Sequence, residues 1–180
     1  MTAGAPAHDR FHLDAPAQRW LTTHSWNRPH WTVDELTAAK AGRTVSVVLP
    51  ALNEQATVAS VLDTISPLLG GLVDELVVLD SGSTDETEIR AIAAGAKVVS
   101  REQALPELAP NPGKGEVLWR SLAATTGDVV VFIDSDLIDP DPMFVPRLVG
   151  PLLTRTGIHL VKGFYRRPLK VGTGEDANGG

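Results

Sequence analysis

From residue 44 onward, short β-branched runs alternate with stretches whose apolar residues recur at helical spacing. This is the pattern of βα units that build a mostly parallel sheet flanked by helices, so the expected fold class is α/β. Residues 44–49 read as a first strand stopped by Pro50, and 54–66 as a helix with Val58, Val61, Leu62 and Ile65 on one face. A second strand over 73–79 and a second helix over 85–94 follow, the helix closed by Gly95. A short third strand covers 97–99, and 101–113, with three prolines, reads as a loop. The pattern then gives a third helix over 116–124, a fourth strand over 128–133 and a helix over 143–153 with Pro142 in its first turn. Residues 158–165 complete the series as a fifth strand.

Residues 1–43 break this rhythm as an N-terminal extension. Trp20, Trp26, Trp31, His24, His30 and Pro29 make it aromatic and irregular, with one helix expected near 15–23. Large aromatics mostly supply buried area, so these tryptophans are expected to pack on the core or on a second subunit, which makes a homodimer plausible. Residues 44–170 form the main domain. Residues 171–180 read as a flexible loop without a closing element, as in a chain stopped short of a further segment.

Composition narrows the chemistry. At 180 residues, 43% hydrophobic and 21% charged, the chain can bury a sizeable core. No apolar run approaches the roughly 18 to 20 residues of a membrane span, and the N-terminus lacks the order of a signal peptide, so a cytoplasmic location is expected. The absence of cysteine excludes disulfides, zinc ribbons and thiol nucleophiles. Any metal must be held by oxygen or imidazole nitrogen. The net charge of −6 argues against nucleic acid as a partner, and an anionic ligand would need local cations or a metal.

Four motifs stand at strand ends or helix starts, where open α/β sheets hold ligands. Leu49-Pro-Ala-Leu-Asn-Glu54 follows the first strand; read structurally it is a turn with Asn53 capping a helix. Asp80-Ser-Gly-Ser-Thr-Asp-Glu-Thr87 follows the second, with Ser83 or Thr84 as candidate cap and Asp80 expected to face the same crevice as Asn53 and Glu54. Asn111-Pro-Gly-Lys-Gly-Glu116 exposes a lysine at a helix start. It lacks the spacing of a phosphate loop, having Leu108 and Gly115 where glycine and Ser or Thr are required.

The fourth motif, Asp134-Ser-Asp136, follows the fourth strand. Alternation puts Asp134 and Asp136 on one side and Ser135 on the other. Two such carboxylates repel unless a cation lies between them or one is protonated, and hard oxygen ligands favour Mg²⁺ or Mn²⁺. Asp139 and Asp141, each followed by proline, read as a turn and helix start. An EF-hand fails on its glycine and glutamate positions, which hold Asp139 and Val145. A haloacid dehalogenase-type phosphatase with Asp134 as nucleophile stays open as an alternative, although that motif usually sits on the first strand.

In this order, Leu49-Pro-Ala-Leu-Asn-Glu54, Asp80-Ser-Gly-Ser-Thr-Asp85, Gly113-Lys-Gly115 and Ile133-Asp-Ser-Asp136 resemble the Rossmann-like nucleotide-sugar-binding half of GT-A fold glycosyltransferases over about residues 44–166. More narrowly, Ser25-Trp26 and Val161-Lys-Gly-Phe-Tyr165 look like the actinobacterial glucosyl-3-phosphoglycerate synthases. The resemblance implies a metal-dependent, retaining transfer of glucose from UDP-glucose to 3-phosphoglycerate, the start of methylglucose lipopolysaccharide synthesis. It implies that Pro50, Ala51, Leu52 and Glu54 line the uridine pocket, that Ser81 and Lys114 reach the uracil, that Asp134 and Ser135 lie by the ribose and diphosphate, and that Asp136 binds the Mg²⁺ or Mn²⁺. The family's remaining metal ligand and acceptor loop belong to a second half that these residues do not contain, so a nucleotide-sugar-binding fragment without activity is a further alternative. No catalytic residue can be named. Arg166, Arg167 and Lys170 are either a solvated strand end or a hold on an acidic acceptor.

Overall fold

The computed structural model describes residues 14–26 and 31–164, together with the backbone of 167–171 and 174–179. Four strands, β1 (Val45–Ala51), β2 (Glu75–Asp80), β3 (Lys97–Ser100) and β4 (Val129–Phe132), form a sheet ordered β3-β2-β1-β4 in which every pairing is parallel. The chain steps outward from β1 to β3 and then crosses to the other side of β1 for β4. That reversal makes the β1/β4 boundary the switch point, where the loops leaving two adjacent strands diverge and open a crevice.

Strand alternation decides what each face buries. Val45, Val47, Leu49 and Ala51 of β1 join Leu76 and Val78 of β2 in one cluster. Helices α2 (Val33–Ala39), α3 (Val58–Ile65) and α7 (Phe144–Thr154) cover it with Leu36, Val61, Leu62, Ile65, Val145 and Val149. Val48, Val77 and Leu79 point the other way onto Val117 and Ala124 of α6 (Lys114–Ala124). Both faces of the central strands are therefore covered, which is why they read as continuous apolar runs.

Pro50 does not stop β1, which continues to Ala51 in register with Asp80. Pairing of β1 with β4 ends at Val48 and Phe132, and the Pro50 carbonyl accepts instead from the Ser135 hydroxyl at 2.6 Å. N–H and C=O of one strand residue point the same way, so the donor that proline lacks faces a side the ladder has already left.

Other boundaries differ for local reasons. Between 101 and 113, α5 (Arg101–Ala104) forms on a Ser100/Gln103 capping box whose S-x-x-Q signature stood in the sequence. α4 (Thr87–Ala93) starts later than Asp85, and Ser83 and Thr84 do not cap it. Pro142 lies ahead of α7, which begins at Phe144; Asp141 forms that entry turn, accepting from Met143 N–H at 2.8 Å and pairing with Arg147. Residues 158–164 are no strand: Leu160 is 87% and Phe164 88% exposed, and an apolar run becomes a strand only when a neighbour supplies its hydrogen bonds. The last strands are instead an antiparallel hairpin of β5 (Arg167–Val171) and β6 (Gly174–Gly179), the second lying where 171–180 reads as a loop in the sequence.

The chain divides into two units, 1–30 and 31–180. In the first, α1 (Ala15–His24) is capped by Asp14, buries no residue of its own, and stacks Trp20 on His24 at 4.8 Å between ring centroids. In the second, Trp31 does pack on the core, against α7. A Cβ built on Gly150 would lie 2.2 Å from Trp31 Cε3, so only glycine admits the indole. Gly150→Ala is expected to destabilise by about 1–3 kcal/mol, as overpacking does, read as a lower urea midpoint with an unchanged slope; an unchanged midpoint would contradict this packing. His30, Pro29, Tyr165 and Arg166, and the side chains of Arg167 and Lys170, lie outside the described residues.

Candidate functional site

An open cleft of about 480 Å³ lies at the switch point. Pro50, Ala51, Leu52, Glu54, Ser81, Lys114, Asp134, Ser135 and Asp136, all nine positions singled out in the sequence, line it together. Arg101, Pro112, Gly113 and Val117 complete the wall and were not among them.

The loops after β1 and β2 are one stitched unit rather than two independent motifs. Asn53 N–H donates to Ser83 Oγ at 2.9 Å, and Asn53 Oδ1 accepts from Thr84 N–H at 2.8 Å. Glu54 N–H donates to Thr87 Oγ1 at 2.7 Å, and the Thr87 hydroxyl donates to Asp85 Oδ1 at 2.5 Å. Asn53 takes a left-handed φ of 58° to make these bonds, which a short polar side chain tolerates. It is therefore no helix cap. The N–H groups of 53–55 are held by the β2 loop, so α3 begins only at Val58. Burial would raise the Asp85 carboxyl, but hydrogen bonds from the Thr87 hydroxyl and N–H and from Gln55 N–H outweigh it and hold Asp85 below the usual carboxylate range.

Asp80 does not face the crevice. It is 6% exposed, and its Oδ2 accepts from Gly82 and Ser83 N–H at 2.8 and 2.9 Å, folding the tight turn that Gly82 permits at φ 95°. The turn leaves Ser81 on the cleft.

On the opposite wall, 134–136 have left the strand and alternation no longer applies. Ser135 is buried and its hydroxyl ties the loop to Pro50, while half-buried Asp134 and exposed Asp136 open to the cleft. Lys114 forms an ion pair with Asp134. One carboxylate of the pair is thus already neutralised, and mutual repulsion alone does not demand a cation.

The donor set still fits one. Among the described residues no group of three or more acidic, histidine or cysteine side chains could enclose a metal. Mg²⁺ and Mn²⁺ need no such cage: one or two carboxylates plus substrate phosphates and water suffice, and the exposed Asp136 leaves room for them.

With that geometry established, residues 46–170 match the model of glycosyl transferase family 2. The chain belongs to glycosyl transferase family 2. This family 2 chain is 82% identical over 162 residues to glucosyl-3-phosphoglycerate synthase of Mycolicibacterium smegmatis, covering 90% of this chain and 54% of that protein. It is 74% identical over 157 residues to the enzyme of that name from Mycobacterium tuberculosis, covering 87% and 48%. The crystal structure of the Mycobacterium tuberculosis enzyme in complex with Mn²⁺, UDP-glucose and phosphoglyceric acid superposes with a TM-score of 0.77 at 76% identity, covering 78% of this chain and 50% of that one. The family 2 chain spans about half the length of the curated relatives it matches. Membership leaves the phosphatase alternative without support.

Sequence reading missed Arg101 because it falls in a stretch taken as plain loop. It missed Arg120 because an arginine on the middle of an amphipathic helix reads as solvated; here it is fully buried. Its bond holds Glu116 below the usual carboxylate range.

Proposed function

We propose that this family 2 chain supplies the donor-binding part of a metal-dependent, retaining glucosyltransferase that moves glucose from UDP-glucose to 3-phosphoglycerate. The observation carrying the reading is the convergence of nine residues from the ends of β1, β2 and β4 and the start of α6 on one cleft at the switch point. The 82% identity to a glucosyl-3-phosphoglycerate synthase favours this donor and acceptor over other pairs.

In this reading Pro50, Ala51, Leu52 and Glu54 line the uridine side, and Ser81 offers a hydroxyl to the uracil. Lys114 sits at the end of a side chain freed by two flanking glycines, and reaches the base by exchanging its bond to Asp134. Asp134 and Ser135 border the ribose and diphosphate, Ser135 by holding its loop against β1. Asp136 holds Mg²⁺ or Mn²⁺, which when bound supplies Lewis-acid neutralisation of charge on the UDP leaving group. Binding of UDP to the intact protein, measured by calorimetry, is expected to require Mn²⁺ or Mg²⁺, to be lost with EDTA, and to be stronger than binding of GDP or ADP. UDP affinity indifferent to EDTA would reject this assignment.

A further inference from the structure

We infer that Arg120 is a positioning residue for the donor cleft, a buried guanidinium around which residues 101–111 fold into a wall. This rests on the reading of the cleft as a nucleotide-sugar site. Nε donates to Glu116 Oε1 at 2.7 Å. Nη1 donates to the carbonyls of Arg101 and Leu105, both at 3.0 Å, and Nη2 to those of Leu108 and Ala109 at 2.9 and 3.0 Å. A guanidinium has five N–H donors, and all of them are used.

Little else holds these residues. No residue from 101 to 113 is buried; Ala104 of α5 packs at the edge of the cluster under α6 and the Ser100/Gln103 box caps that helix, but from Leu105 to Gly113 there is no regular element. Glu116 Oε1 accepts from Asn111 N–H at 3.3 Å as well, extending the same anchor to the turn before Gly113. Arg120 thus substitutes backbone hydrogen bonds for hydrophobic burial. Both ends of the segment reach the cleft, Arg101 on one side and Pro112, Gly113 and Lys114 on the other. A Cβ on Gly82 would lie 3.6 Å from Arg101 Nη2, so the arginine that Arg120 pins by its carbonyl stands beside the turn carrying Ser81.

The sheet does not depend on these contacts. α6 is anchored to β1 and β2 through Val117 and Ala124. Losing Arg120 should therefore loosen the wall and leave the strands in place. A lysine offers three donors without the planar fork, enough to hold part of the carbonyl set.

The test compares the wild-type protein with Arg120→Met and Arg120→Lys, following UDP affinity with Mn²⁺ present and amide hydrogen exchange. Arg120→Met is expected to weaken UDP at least tenfold and to speed exchange over 101–113 at least tenfold, with β1 and β2 as protected as in wild type. Arg120→Lys should fall between. Wild-type affinity in Arg120→Met, or accelerated exchange spread across β1 and β2, overturns the inference. Should Arg120→Met not fold, wild-type affinity and exchange in Arg120→Lys overturn it equally. Failure of the wild type to bind UDP would sink the reading of the cleft, whereas the exchange pattern alone reports whether Arg120 holds the wall.

Discussion

On the proposed function, Asp136→Ala is expected to abolish metal-dependent UDP binding and, in the intact protein, to lower kcat/KM for glucosyl transfer by about a thousandfold. Two unit charges about 4 Å apart at an effective dielectric near 20 interact by about 4 kcal/mol, and each 1.36 kcal/mol is tenfold in rate. Asp136 is the exposed carboxylate of its pair, and it has no hydrogen-bonded or ionic partner among the described residues that would compete with a cation. Asp134, by contrast, is engaged by Lys114. Without Asp136 that wall of the cleft loses the carboxylate that would hold a cation against an incoming diphosphate, while Lys114 stays engaged by Asp134. The fold should be untouched, since an exposed side chain with no hydrogen-bonded or ionic partner among the described residues contributes little stability. Titration of the variant with Mn²⁺ and UDP, alongside thermal melting, separates the two effects; full transfer activity in Asp136→Ala would remove the metal from the mechanism.

Thr87→Val should weaken both stability and donor affinity. Valine matches the shape of threonine but neither accepts from Glu54 N–H nor donates to Asp85. Thr87 is fully buried, so the lost partner is not replaced by water. An unsatisfied buried donor costs about 1–3 kcal/mol. The bonds at Asn53 and Gln55 on either side remain, so the substitution releases the Glu54 N–H alone, in the middle of the stitch. UDP affinity is expected to fall roughly tenfold, while Thr87→Ser, which keeps the hydroxyl, stays near wild type. Equal affinities in the valine and serine variants would show that the stitch does not hold the cleft.

Much of this molecule was legible beforehand because its signals are local. Short β-branched runs and apolar residues at helical spacing found the four sheet strands and most of the helices. The resemblance carried by the four motifs implied nine cleft residues, eight at strand ends and Lys114 at a helix start, and a parallel sheet delivers those strand ends to one edge.

What resisted was whatever depends on residues distant in the chain. Asn53 and Thr84 looked like helix caps because a side chain's hydrogen-bond partner is invisible until the β1 and β2 loops lie side by side. Residues 158–164 hold an apolar run that reads as a strand but form no strand, with no neighbour to pair with among the described residues. Arg120 gave no signal because its charge, not the carbonyls that surround it, is what a sequence displays. The α/β architecture and the chemistry available at the strand ends follow from local sequence signals. That Asp134 is answered by Lys114, and that a buried guanidinium collects the carbonyls of 101–109, emerged with the packed fold, because each is a contact between separate elements; Asp80 turns back onto its own loop, a choice that burial of its carboxylate settles.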